Sequence, residues 1–373
     1  MNWTAQTCCC HQVTFGEGPG VTLKQTLDIY ELLDDPHVNG QRVRSFFEER
    51  SVTRVAGAAV QPVYGQLGTK AAATDVAVQE MHGRSGTKPG AIDITVQTVH
   101  ADGGSTDFVT ITIRGTNGKL SGGTAPTLGV IGRLGGIGAR PYRMGLVSDA
   151  DGAIAALSAA LKLNDMTVRG DRLPGDVIVA THIAPDAPII PHDPVDFMGS
   201  PVDMPTKNAH EVFPEMDAIL SIDTTKGNRV MNHRGIAISP TVKSGCILRI
   251  SPDLVSLLEI TTGEPAHTFA LTMPDITPYG NDLYHINSIM QPCTATAAPV
   301  VGVAITAQST VPGCATGASR ETDIALAAKY TVEAAKAFGA GKCSFYDERE
   351  YAHFVELYGS MRHLQTRGVA TEV

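Results

Sequence analysis

Four short apolar runs recur along this chain, and each stops at a polar or charged residue. TLGVIG ends at Arg133, GDVIVAT at His182, AILSI at Asp223, and APVVGVAIT closes the series. An Ala/Leu-rich stretch, Asp149 to Leu163, lies between them, and another, ETDIALAAKYTVEAAKAF, follows the last. Buried strands alternating with helices define an α/β protein with a mostly parallel central sheet and helices on both faces. Ahead of that series, DITVQTV and DFVTITIRG alternate apolar and polar residues around HADGGST, the pattern of a hairpin.

Composition fits this architecture. Hydrophobic residues are 43% and aromatics only 5%, with 38 glycines and 22 prolines, so an aliphatic core lies under many tight turns. The formal net charge is −9 and the basic residues are scattered, which excludes the basic face that nucleic acid requires. No apolar run reaches the ~20 residues that span a bilayer, and the first twenty residues lack the pattern of a signal peptide. A cytoplasmic protein is the expectation. The expected organisation is an N-terminal tail over 1–20 and one α/β domain over 21–373. An Ala/Gly/Thr-rich insertion at about 55–92 would form a lobe or an arm for assembly into a homo-oligomer. Of seven cysteines, Cys246, Cys293, Cys314 and Cys343 are dispersed. Cys8, Cys9 and Cys10 adjoin His11, and consecutive cysteines chelate one ion poorly.

Other helices are expected at Thr22 to Leu33, with Leu23, Leu27, Tyr30 and Leu33 or Ile29 on the apolar side, and over Gln41 to Arg50 and DLVSLLEITTG. HTFALTMPDITPYGND reads as a strand entering a polar loop. In open α/β sheets the functional groups gather at the carboxyl ends of the strands. That rule selects Arg133; Asp149 and Asp151 where the Ala/Leu helix begins; His182 and Asp186; Asp223; and Asn281 and His285 in PYGNDLYH. An imidazole near a carboxylate suits a general base with its orienting partner. Each also has a plain reading: Asp149 or Asp151 as a helix cap, and His182 or His285 as a histidine satisfied by loop backbone.

The runs GGTAPTLGVIGRLGGIGARP, VSDADGAIAALSAALKL, MGSPVDM, MDAILSIDTTKGNR, DITPYGNDLYHINSI and VPGCATGAS resemble the prokaryotic family catalogued as domain of unknown function 1177, over roughly 21 to 358. The order of elements is more distantly similar to the di-zinc aminopeptidases of the zinc-dependent exopeptidase superfamily. That resemblance implies a metal held by Asp149 or Asp151, with Asp223 as a further ligand. The chain departs from the pattern. Arg133, Leu134 and Gly135 replace a His-x-Asp ligand pair, and Asp186 alone stands where two glutamates belong. One divalent ion, zinc or manganese, held by some of Asp149, Asp151, His182, Asp186, Asp223 and His285, is what remains of the expectation. The resulting function is metal-assisted hydrolysis of amide bonds in small peptides or amino-acid derivatives. Asp186 or His182 would be the base, and Arg133 and Asn281 would contact substrate. Its rivals are a non-catalytic exopeptidase-like protein that binds a small anionic ligand, and a self-assembling protein using the tail and the insertion.

Overall fold

The computed structural model describes residues 22–57, 92–101, 104–133, 145–191, 197–225, 227–229, 231–308 and 319–368. Cys8–Cys10, most of the 55–92 insertion and Cys314 lie outside the described residues. Helices α1 (Leu23–Asp34) and α2 (Gly40–Gly57) precede the antiparallel hairpin of β1 (Asp93–Ala101) and β2 (Gly104–Ile113). Then come β3 (Thr127–Gly132), α3 (Asp151–Val168), β4 (Asp176–Ile183), the small pair β5 (Ile189–Ile190) and β6 (Phe197–Met198), α4 (Met204–Glu211) and β7 (Ala218–Thr224). β8 (Gly235–Ile238), β9 (Val242–Lys243), β10 (Cys246–Ile247), α5 (Pro252–Thr262), β11 (Val300–Thr306), α6 (Glu321–Gly339) and α7 (Glu348–Tyr358) complete the chain.

The main sheet runs β1-β2-β4-β3-β7-β11-β9-β10, and β8 also pairs with β11. β4, β3, β7 and β11 are mutually parallel, while both edges are antiparallel. Every residue of these four central strands is buried, which is why they read as unbroken apolar runs rather than as alternation. Strand parity splits the interior in two. Val130, Val179, Leu220, Ile222 and Val303 face helices α1, α3, α5 and α6, meeting Ile154, Leu157, Leu254 and Tyr330. Ile131, Ile178, Ile219, Val300 and Ala304 face the other way, against Met216, Ile276, Ile289 and Met290. The second face is roofed by α4 and the irregular chain that follows α5.

α3 is the central helix, buried along nearly its whole length. Two glycines let it approach the sheet. A Cβ on Gly132 would lie 2.7 Å from the Ala156 Cβ, and one on Gly152 would lie 2.5 Å from the Ile222 carbonyl oxygen. The start of α3 is thereby pressed onto the carboxyl ends of β3 and β7.

Two local expectations are corrected. α1 forms where the periodicity places it, but it buries Gln25, Thr26, Ile29, Leu32 and Leu33, leaving Leu23 and Leu27 40% and 48% exposed. Its seat is the polar flank of α3, where the Gln25 amide donates to Asp165, so the buried stripe is rotated from the most apolar one. The strand expected near His267 reduces to one bridge, Thr268 to Ile238, and the chain then passes into a 3-10 turn at Pro274–Ile276. Among the described residues no helix is long and apolar enough to cross a membrane.

Candidate functional site

Register brings three of the singled-out residues level. Gly132 of β3 pairs with Thr181 of β4 and with Ile222 of β7, so Arg133, His182 and Asp223 come next in one row. The Arg133 amide continues the ladder by donating to the Ile222 carbonyl at 2.8 Å. Because side chains alternate along a strand, this row shares the second face with Ile131, Ala180 and Ser221, two positions earlier. Three titratable side chains thus extend an apolar face at the carboxyl rim of the sheet.

α4 covers them. Its start follows from sequence chemistry: the Asp203 carboxylate accepts from the Thr206 amide at 2.9 Å as the N-cap, and Pro205 occupies the first turn. The helix is tied down where the Asn208 amide donates to the Gln291 carbonyl at 3.0 Å and to the Thr294 hydroxyl at 3.2 Å. Residues four apart share a helical face, so Lys207 and Glu211 both turn inward, at 3% and 0% exposure.

Glu211 is the hub. Its Oε2 accepts from Arg133 Nη1 at 2.5 Å, and its Oε1 pairs with His182 Nδ1. Burial alone would raise the Glu211 carboxyl, but Arg133 and then His182 hold it below its ordinary value. Burial pushes the His182 imidazolium down, and the pull of Glu211 does not restore it. The pair is therefore a carboxylate with a neutral imidazole whose Nδ1 carries the proton, leaving Nε2 with its lone pair. Arg133 Nη2 lies against the Met204 sulfur, and Nε is sealed without a hydrogen-bond partner.

Asp223 accepts from the Ser288 hydroxyl at 2.6 Å and from the Thr224 amide at 2.8 Å, yet burial dominates and raises its carboxyl to about 6. Lys207 shows the opposite displacement. Burial, followed by the nearby Arg133 charge, lowers its ammonium to about 8 against the pull of Glu211, Asp149 and Asp223. Among the described residues its ammonium has no hydrogen-bond or ion-pair partner. Tyr279 completes the wall, its hydroxyl raised by burial and by Asp223. Asn287 donates to Thr225 and fixes this segment to the end of β7.

The remaining singled-out residues lie in other settings. Asp149 is 5% exposed and its charge reaches Lys207 and Tyr279. Asp151 turns toward α1: it accepts from the Ser319 hydroxyl, and its charge acts on Tyr30. Asp186 is exposed in the turn after β4, and the carboxylate that orients His182 is Glu211 instead. Asn281 donates to the Thr277 hydroxyl at 2.8 Å and accepts from the Leu283 amide at 3.1 Å. His285 directs Nδ1 at the Leu283 carbonyl, 2.9 Å away, and Nε2 at the Thr277 carbonyl, 3.0 Å away. Both residues are spent on their own loop. Lys207 and Glu211 are absent from any reading of strand ends because they arrive on a helix. The signal available for them was the Asp203–Pro205 helix start with a Lys and a Glu one turn apart behind it, a pattern that ordinarily marks a solvated face.

A divalent ion needs several carboxylate or imidazole lone pairs aimed at one point. Here both Glu211 oxygens and both Asp223 oxygens accept from protein donors, His182 Nδ1 donates its proton to Glu211, and two cations stand among them. Among the described residues no three His, Cys, Asp or Glu side chains are grouped to hold a metal. These residues do not fit the metal centre that the aminopeptidase resemblance implies. A cavity of about 980 Å³ lies at the opposite end of the sheet, between Pro126, Asp217 and Pro299 at the strand starts and Tyr346 and Tyr351 beyond. It shares none of the rim residues.

Fold and site together define an α/β protein with a mostly parallel sheet and a buried, mixed-charge cluster at its carboxyl rim. The chain belongs to the family described as "Protein of unknown function (DUF1177)", whose model matches residues 97–368. No curated protein matches it. Among solved structures it is similar to an M17 aminopeptidase from Trypanosoma brucei, at 11% identity and a TM-score of 0.44, covering 83% of this chain and 61% of that one. The chain thus spans less than two thirds of that enzyme's length, and at that identity nothing about the site follows from the likeness.

Proposed function

We propose that this chain binds a small organic anion, a carboxylate in the first place, at the Lys207 pole of the rim cluster, without a resident metal. The observation that carries the reading is the state of Lys207. The other titratable groups of the cluster have protein partners: Arg133 and His182 have Glu211, and Asp223 has Ser288. A buried ammonium without one among the described residues carries a desolvation cost that a bound counter-ion offsets. Metal-assisted hydrolysis of amides, the reading that the order of elements favours, finds no ligand set among the described residues. Asp223 and Lys207, displaced from opposite sides toward neutrality, supply the acid–base pair that a metal-free reaction on the same ligand would need.

The test is thermal stabilisation of the full chain by a panel of small mono- and dicarboxylates, with the matching primary amides as uncharged controls. A carboxylate at about 100 times its dissociation constant adds about 2.7 kcal/mol of apparent stability. Acids should raise the melting temperature and amides should not, and Lys207→Met should abolish the difference. Equal response to acid and amide, or full response in the Lys207→Met protein, overturns the reading.

A further inference from the structure

Lys207 combines three features that are seldom found together. It sits on an eight-residue helix at the carboxyl rim of a parallel sheet, where ligands enter such folds. Its side chain is 3% exposed and its ammonium has no partner among the described residues. A second cation, Arg133, lies close enough to disfavour its charge, although Glu211, Asp149 and Asp223 pull the other way and His182 stays neutral. Desolvation and a neighbouring cation are the two general means of turning a lysine into a neutral amine nucleophile.

We propose that Lys207 forms a covalent imine with small carbonyl compounds, aldehydes and 2-oxo acids, entering the rim site. The proposal rests on the reading that this rim is the ligand site, and oxo acids are the members of the class that also carry its anion. The amine nitrogen attacks the carbonyl carbon, and the amine's proton passes to the former carbonyl oxygen to give a carbinolamine. A second proton converts that hydroxyl into a leaving water molecule, and a protonated imine on Lys207 remains. No electron is gained or lost. Asp223 is the buried acid of the cluster, and the minor fraction of its raised carboxyl still protonated at pH 7 supplies the second proton.

The experiment is reductive trapping on the intact full-length protein. Glyoxylate, pyruvate and the uncharged propionaldehyde are each added with cyanoborohydride at pH 7, and the adducts are located by peptide mass mapping. Exposed Lys24, whose side chain is 68% accessible, serves as the internal reference. Displacement of the Lys207 ammonium from 10.5 to about 8 raises its free-amine fraction at pH 7 by more than about a hundredfold. Burial offsets part of this, and labelling at Lys207 should exceed that at Lys24 by at least about tenfold. Lys207→Arg, which keeps the charge, should remove that adduct and leave the slow labelling of Lys24, with the melting curve confirming that the variant is folded. Labelling of Lys207 no faster than of Lys24, with each of the three carbonyls, overturns the proposal. The two readings fail separately. Acid-specific stabilisation with no trapping at Lys207 leaves the anion site and removes the imine. Trapping of propionaldehyde on Lys207 with no stabilisation by any carboxylate does the reverse.

Discussion

The Arg133 guanidinium and the Glu211 carboxylate meet at 2.5 Å with neither side chain exposed to solvent. A pair so enclosed adds little net stability, because its Coulomb energy is largely consumed by desolvation, but losing one member strands the other. Glu211→Gln should therefore lower the unfolding free energy by about 3–5 kcal/mol, read by urea titration. Replacing both members, as Arg133→Met with Glu211→Met, should recover a large part of that loss. A double variant as unstable as the sum of the singles would show that the two residues act independently.

Asp223 links stability to pH. Its folded-state value, about 6, lies above its ordinary 3.8, so the folded protein holds a proton that the unfolded chain has released. Stability from this group is complete below 3.8 and is lost as pH rises through about 6. Asp223→Asn keeps the shape and removes the charge. At pH 7.5 it should be more stable than the parent by about 3 kcal/mol, with the gap closing toward pH 4. Melting curves at several pH values between these limits would show the convergence, and a constant gap would contradict the assignment.

Gly152 marks the tightest contact between α3 and the rim. An added Cβ would meet the Ile222 carbonyl oxygen at 2.5 Å and that of Arg133 at 2.8 Å, both backbone atoms. Gly152→Ala should destabilise by about 1–3 kcal/mol through overpacking, despite the better helix propensity of alanine. Because the displaced backbone carries Arg133 and Asp223, carboxylate binding should weaken as well. The control is Gly170→Ala after the helix, where the added atom meets nothing but φ is +88°. That change should cost stability through backbone strain without altering binding.

The occupied donor set gives an expectation for metals. Exhaustive dialysis against a chelator should leave the melting temperature unchanged, and added zinc or manganese should not raise it. Stoichiometric retention of either ion, by elemental analysis, would mean that the cluster rearranges around it.

The rim was legible in sequence to the extent that strands announce their own ends. Arg133, His182 and Asp223 each terminate an apolar run, and register alone makes them neighbours. The helix α4 was not legible. Eight residues with little apolar character give no periodicity, and Lys207 and Glu211 look like surface charges until the second face needs a cover. Asn281 and His285 show the opposite case. Polar side chains in a turn with Asp282 at a φ of +60° are those that bind their own backbone, and loop chemistry resembles site chemistry in sequence. The phase of α1 misled because a helix may rest on a polar neighbour: Gln25 faces Asp165, and the leucines of the apolar stripe stay outside.

Lys207 and Glu211 ride on the same short helix, one turn apart, and among the described residues only Glu211 is bonded to the sheet. Any tilt of α4 that widens the approach to the lysine also draws the glutamate away from Arg133 and His182. Entry by that route and the protonation state of His182 would then be coupled through one helix. A ligand that props the helix open would be reported at the imidazole, across the cluster from where it binds.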